Sequence, residues 1–148
     1  MAGMKPYRAH AASSSRRIAV DYEGNEQVAL LRWLQLQHPA AYALTYHVPN
    51  GGRRDKVTAA KLKAQGVKAG IPDLKMAIAR GGFFGLYIEF KATPPHDAAV
   101  SPSQREMLAL LADQGYRAIV CRGMAEAMAA IIKYLNLPPT LSGAVVGQ

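Results

Sequence analysis

The segment from Asp73 to Lys91 places the tightest constraint on the fold of this chain. Two runs, Asp73–Arg80 and Gly85–Lys91, alternate apolar and polar residues on either side of Gly81-Gly82-Phe83-Phe84. Period-two alternation around a glycine-rich break is the pattern of a hairpin with one buried face. Leu74, Met76 and Ile78 fall on one face with Leu86, Ile88 and Phe90, while Asp73, Lys75 and Ala77 fall on the other with Tyr87, Glu89 and Lys91. Burial of the apolar face fixes the parity of the pairing, because a slip of one residue would turn every side chain to the opposite face. With Asp73 set opposite Lys91, Glu89 stands on the diagonal, about 7–8 Å from Asp73 between β-carbons. Asp73, Glu89 and Lys91 then converge.

That trio has a definite chemistry. A hard divalent cation takes oxygen ligands from two chain positions, and a water attacking a phosphate gains from a cation beside it. The surrounding charge agrees. The 148-residue chain has a net charge of +8, and from 53 to 75 it carries Arg53, Arg54, Lys56, Lys61, Lys63, Lys68 and Lys75 against Asp55 and Asp73 alone. Such a cluster attracts polyanions without sequence preference. A solvated charged face explains the same run, and its place just ahead of Asp73 is what favours nucleic acid.

The remaining segments read as a small α/β domain with element order α-β-α-β-β-α-β-α. Residues 1–20 form a flexible basic arm, 21–136 the domain and 137–148 a tail after Pro138-Pro139. Leu30, Leu31, Trp33, Leu34 and Leu36 recur at helical spacing over Glu23–Gln37, with His38-Pro39 as the stop. Glu26 shares the face of Leu30 and Trp33. It either needs a cation, a donor or a wet cleft, or is an exposed acid that favours the helix N-terminus. Ala43–Val48 reads as a strand before the turn Pro49-Asn50-Gly51-Gly52, and Lys56–Gln65 as a basic helix capped by Asp55. Ser101-Pro102-Ser103-Gln104 has the form of a capping box opening a helix to about Gln114. Tyr116–Cys121 then makes a strand and Met124–Leu135 a helix. No apolar run approaches the roughly 20 residues of a membrane span. Cys121 is the sole cysteine, so a soluble protein of a reducing compartment is expected.

Taken in order, Glu26-Gln27, His47-Val48-Pro49-Asn50-Gly51-Gly52, Gly66-Val67, Gly70-Ile71-Pro72-Asp73, Ile88-Glu89-Phe90-Lys91, Ser101-Pro102-Ser103-Gln104 and Gly115-Tyr116 form a set that resembles the VRR-NUC family (virus-type replication-repair nuclease). This is a branch of the PD-(D/E)XK nuclease superfamily, and the match runs roughly from Tyr22 to Leu135. The resemblance implies a restriction-endonuclease-like core, a mixed β-sheet flanked by helices. It also implies a magnesium-dependent endonuclease, with Mn²⁺ able to substitute and no organic cofactor. Asp73 and Glu89 would bind metal, joined by the Phe90 backbone carbonyl, and Lys91 would activate the attacking water. Glu26 would complete the acidic cluster through water or a second metal, and Gln104 would orient Lys91 or the nucleophile, in competition with its capping role. Asn50 and the basic cluster would contact DNA. Small stand-alone relatives further imply a homodimer acting on branched DNA such as four-way (Holliday) junctions, in the cytoplasm of a bacterial or phage-infected cell. A nuclease for linear DNA and a non-catalytic DNA-binding factor are the alternatives.

Overall fold

A computed structural model describes residues 19–49 and 55–140. Its elements are α1 (Tyr22–Gln37), α2 (Pro39–Tyr42), β1 (Thr45–His47), α3 (Lys56–Ala64), β2 (Leu74–Met76), β3 (Leu86–Lys91), α4 (Pro102–Asp113), β4 (Arg117–Arg122) and α5 (Met124–Leu135). The expected order holds, with α2 inserted where His38-Pro39 was read as a plain stop. Pro39 sits in the first turn of that short helix, where its missing N–H is no loss.

Short-range chemistry sets the helix starts. Asp21 accepts from the Gly24 N–H at 2.8 Å and Asp55 from the Thr58 N–H at 2.9 Å, satisfying donors that α1 and α3 leave unpaired. At α4 the capping box is complete, with Ser101 and Gln104 each accepting from the other's backbone N–H.

The strands form a four-stranded mixed sheet in the order β1-β2-β3-β4. β1–β2 and β2–β3 are antiparallel, and β3–β4 is parallel, with α4 in the long crossover that a parallel pair requires. On one face lies a single core of Leu30, Leu34, Ala41, Leu74, Met76, Leu86, Ile88, Phe90, Cys121, Ala127, Ile131 and Tyr134. α1 and α5 close it from above. The other face carries Lys75, Tyr87, Glu89 and Lys91, as alternation requires.

One expectation about the hairpin is corrected. Leu74 pairs with Ile88 and Met76 with Leu86, so continuing the register sets Asp73 opposite Glu89, not opposite Lys91. The two-residue shift preserves parity, and the trio stays on one face. Its cause is the short β2. Pairing stops after Met76, Ala77 turns to Leu44, and Arg80 makes only an isolated bridge to Phe83, so the connection is much longer than the glycine pair suggested. Residues 138–140, assigned to the tail, lie against this connection. Gly81 N–H donates to the Pro138 carbonyl at 2.7 Å, and the Thr140 hydroxyl donates to the Phe83 carbonyl at 2.8 Å. Residues 1–18, 50–54 and 141–148, including most of the expected arm and tail, lie outside the described residues.

Candidate active site

The sheet brings Asp73, Glu89 and Lys91 together at the C-terminal end of β3. Asp73 ends the Gly70-Ile71-Pro72-Asp73 loop, whose first residue has φ of +79°. A β-carbon there would collide with the Ser103 carbonyl, so only glycine lets this loop pass so close to the start of α4. Asp73 Oδ2 accepts from the Phe90 N–H at 2.8 Å. That bond ties the carboxylate to the strand that bears its partners. The Asp73 carbonyl accepts from the Val48 N–H at 2.8 Å, and the His47 ring Nδ1–H reaches it at 2.9 Å. The Gln27 amide stands 3.1 Å from the same ring nitrogen, which cannot accept from it while donating to the carbonyl.

Glu89 and Lys91 are 1 % and 5 % exposed. Lys91 Nζ lies 2.9 Å from Glu89 Oε1, and Gln104 Nε2 donates to the same oxygen at 2.6 Å. Gln104 Oε1 meanwhile accepts from the Ser101 N–H at 2.8 Å. The competition expected between capping and site is therefore absent, since one end of the amide serves each. The second oxygen, Glu89 Oε2, is buried with no hydrogen-bond partner among the described residues. Burial is the main force raising the Glu89 pKa to about 7, opposed by Lys91 and reinforced by the negative charges of Asp73 and Glu23. A buried carboxylate oxygen without a donor is an unfavourable arrangement unless something else comes to it.

Glu26 is placed differently from its expected role. Its Oε1 accepts from the Thr93 N–H at 3.0 Å, and its Oε2 from the Thr93 hydroxyl at 2.8 Å and the Met124 N–H at 3.1 Å. Gly123, the N-cap of α5, has no side chain with which to cap. Glu26 supplies that cap from α1. The Thr93 N–H is the main influence holding its carboxyl below the usual range, followed by the Thr93 hydroxyl and the Met124 N–H. The acid that faces the trio is Glu23, one helical turn earlier. Burial chiefly raises its pKa, Lys91 opposes this, Asp73 and Asp21 add to it, and the Ala92 N–H draws it back. Periodicity gave the face of α1 but not which turn meets the end of β3. Glu23 and Glu26, three residues apart, were indistinguishable on that basis.

Two expectations about stability follow. Glu26→Ala leaves the Thr93 and Met124 N–H groups without their acceptor and lowers unfolding free energy by about 1–2 kcal/mol. Since the Glu26 pKa is lowered on folding, that contribution is present above about pH 4.5 and fades on acidification. Denaturant melts at pH 4 and 7 check it. Glu89 has the opposite sign. Its folded pKa is raised, so its contribution is full below 4.5 and lost as pH rises through about 7. In metal-free buffer at pH 8, Glu89→Gln should unfold at higher denaturant than the parent by on the order of 1–2 kcal/mol, with the difference vanishing near pH 4.5.

Of the basic cluster, Lys56, Lys61, Lys63 and Lys68 are exposed on α3 and the loop after it, and α3 has no buried residue. Lys75 is tucked against aromatic rings. Arg53, Arg54 and Asn50 lie outside the described residues.

The VRR-NUC domain model matches residues 21–125. The chain belongs to the VRR-NUC family. Its match spans every side chain of the site, from Glu23 to Gln104, and the family is one of nucleases. Among solved structures, a VRR_NUC domain protein shares the fold with a TM-score of 0.71 and 32% identity, over 82% of this chain and 94% of that one. No match was found among curated proteins. The mixed sheet flanked by helices is consistent with the PD-(D/E)XK arrangement that the sequence implied. No helix among the described residues is long and apolar enough to cross a membrane.

Among the described residues, no three His, Cys, Asp or Glu side chains gather closely enough to form a metal cage. The donor set is the pair Asp73 and Glu89. It fits a hard cation, because Glu89 Oε2 is buried and lacks a partner and oxygen pairs with water filling the remaining positions suit magnesium.

Proposed function

We propose that this protein is a magnesium-dependent structure-specific endonuclease, with Mn²⁺ able to substitute, that hydrolyses phosphodiester bonds in branched DNA such as four-way junctions and works as a homodimer. The observation that carries this reading is the buried Glu89 Oε2 beside Asp73, which has no partner among the described residues, with the Lys91 ammonium 2.9 Å from the other oxygen. Asp73, Glu89 and the Phe90 carbonyl would hold the cation, which when bound lowers the pKa of water and neutralises phosphate charge.

The chain's own residues have separate tasks. The Phe90 N–H fixes the Asp73 carboxylate, and the Gln104 amide fixes Glu89 from the start of α4. Lys91 offers its ammonium to the attacking water and to the charge that grows on the phosphate oxygens. Glu23 adds a further carboxyl group near Lys91 and Asp73, at a position the sequence reading had assigned to no residue. Two symmetry-related sites are the direct means of cutting two symmetry-related strands, which supports a homodimer.

The test is cleavage of an end-labelled four-way junction and a linear duplex of the same arms with Mg²⁺ or Mn²⁺. Paired cuts near the branch point with the duplex left intact are expected. Equal cutting of both would make the protein a nuclease for linear DNA, and binding without cutting in either metal would make it a DNA-binding factor.

A further inference from the structure

The face of the sheet that bears the trio also carries a row of aromatic rings around one lysine. Tyr46 in β1 is the cross-strand partner of Lys75 in β2, and Lys75 is the partner of Tyr87 in β3. Lys75 Nζ lies 5.1 Å from the centre of the Tyr87 ring and 5.5 Å from that of Tyr116. Tyr116 meets Tyr87 edge-on at 5.2 Å and Phe84 edge-on at 6.2 Å. The Phe84 ring lies over Gly115, where a β-carbon would meet it at 2.8 Å. At the two ends of the row, Tyr46 is 49% and Phe84 62% exposed.

This cluster belongs to no core. It faces away from the apolar face, and its position relative to the site is fixed by strand geometry. Lys75 is two residues beyond Asp73 and Tyr87 two before Glu89, so the row runs beside the trio at a spacing of about 7 Å. An occupant has to combine an anion for Lys75 with a flat apolar face for an exposed ring. A nucleotide carries both in one unit, and base–aromatic stacking is indifferent to sequence because every base has a π-face. The chain's net charge of +8 and the exposed lysines of α3 point the same way.

We propose that the row Tyr46–Lys75–Tyr87–Tyr116 is a platform for an unpaired nucleotide next to the scissile phosphate. The base stacks on Tyr46 and the adjoining phosphate meets Lys75. Tyr87 and Tyr116 are positioning residues that hold the ammonium through its attraction to their ring faces. The assignment rests on the nuclease reading above and deepens it, since it gives the enzyme a means of preferring branch points, where bases come unpaired, over continuous duplex.

The test measures binding in EDTA, so that cleavage does not enter, by fluorescence anisotropy with a labelled oligothymidine, an abasic oligonucleotide of the same length and a blunt duplex. Tyr46→Ala should weaken oligothymidine binding about tenfold while leaving duplex binding within about twofold, and Tyr46→Trp should retain the parent affinity. The abasic strand should bind parent and Tyr46→Ala alike, a signature that a merely structural tyrosine would not give. Unchanged oligothymidine affinity in Tyr46→Ala would overturn the platform and leave the nuclease reading standing. A change of oligomeric state in Tyr46→Ala by sedimentation would also overturn it, assigning the row to self-association. The predicted binding losses in a protein that cuts nothing with Mg²⁺ or Mn²⁺ would support the platform and sink the nuclease reading instead.

Discussion

Asp73→Ala and Glu89→Ala should each lower metal-dependent cleavage by on the order of 10³-fold, equivalent to about 4 kcal/mol of transition-state stabilisation. Both should also lose the binding of Mg²⁺ or Mn²⁺ when titrated by calorimetry. The two variants differ in stability. Removing Glu89 takes away the Oε2 that has no partner among the described residues, but also the Oε1 that pairs with the buried Lys91 ammonium and the Gln104 amide, so Glu89→Ala strands a buried cation and should cost about 3–5 kcal/mol. Removing Asp73 leaves the buried Phe90 N–H without its acceptor, which costs about 1–3 kcal/mol. Equal metal binding by parent and Asp73→Ala would contradict the assignment of that carboxylate.

The second large effect belongs to Lys91. Lys91→Met keeps most of the length of the buried stem and removes the ammonium 2.9 Å from Glu89. Cleavage is expected to fall by about 10²–10³-fold, the range for loss of one group that assists proton transfer or stabilises developing charge. Metal binding should survive, because the removed group is a cation competing for the same carboxylate. The loss therefore lies in kcat with the metal titration intact. A variant that loses metal and rate in parallel, as Asp73→Ala does, would make Lys91 a structural counter-charge only.

The contrast between these residues and Glu26 shows what a sequence can carry. The caps at Asp55 and Ser101 were legible because a cap is settled by the three or four residues beside it. The convergence of Asp73, Glu89 and Lys91 was legible because parity is a property of alternation and survives a two-residue error in register. The register itself was not legible, because it depends on where β2 stops, and that is decided by contacts to Leu44 and by the return of residues 138–140 to the hairpin connection. The placement of Glu26 was not legible for a related reason. Its three partners come from Thr93 and Met124, distant in sequence, and only the packing of α1 against the end of β3 and the start of α5 decides that Glu23 turns toward the trio. Gln104 was legible as a cap, yet its partner at the site, Glu89, and the compatibility of the two contacts were not, because they depend on the two ends of one amide pointing to different elements.

Whether Asp73 and Glu89 hold a metal ion can be read from diffraction at the manganese absorption edge, using crystals soaked in Mn²⁺. An anomalous peak is expected between the Asp73 carboxylate and Glu89 Oε2, with Glu23 nearer to it than Glu26. A saturating soak with no peak at that pair, or a peak held by Glu26, would contradict that assignment.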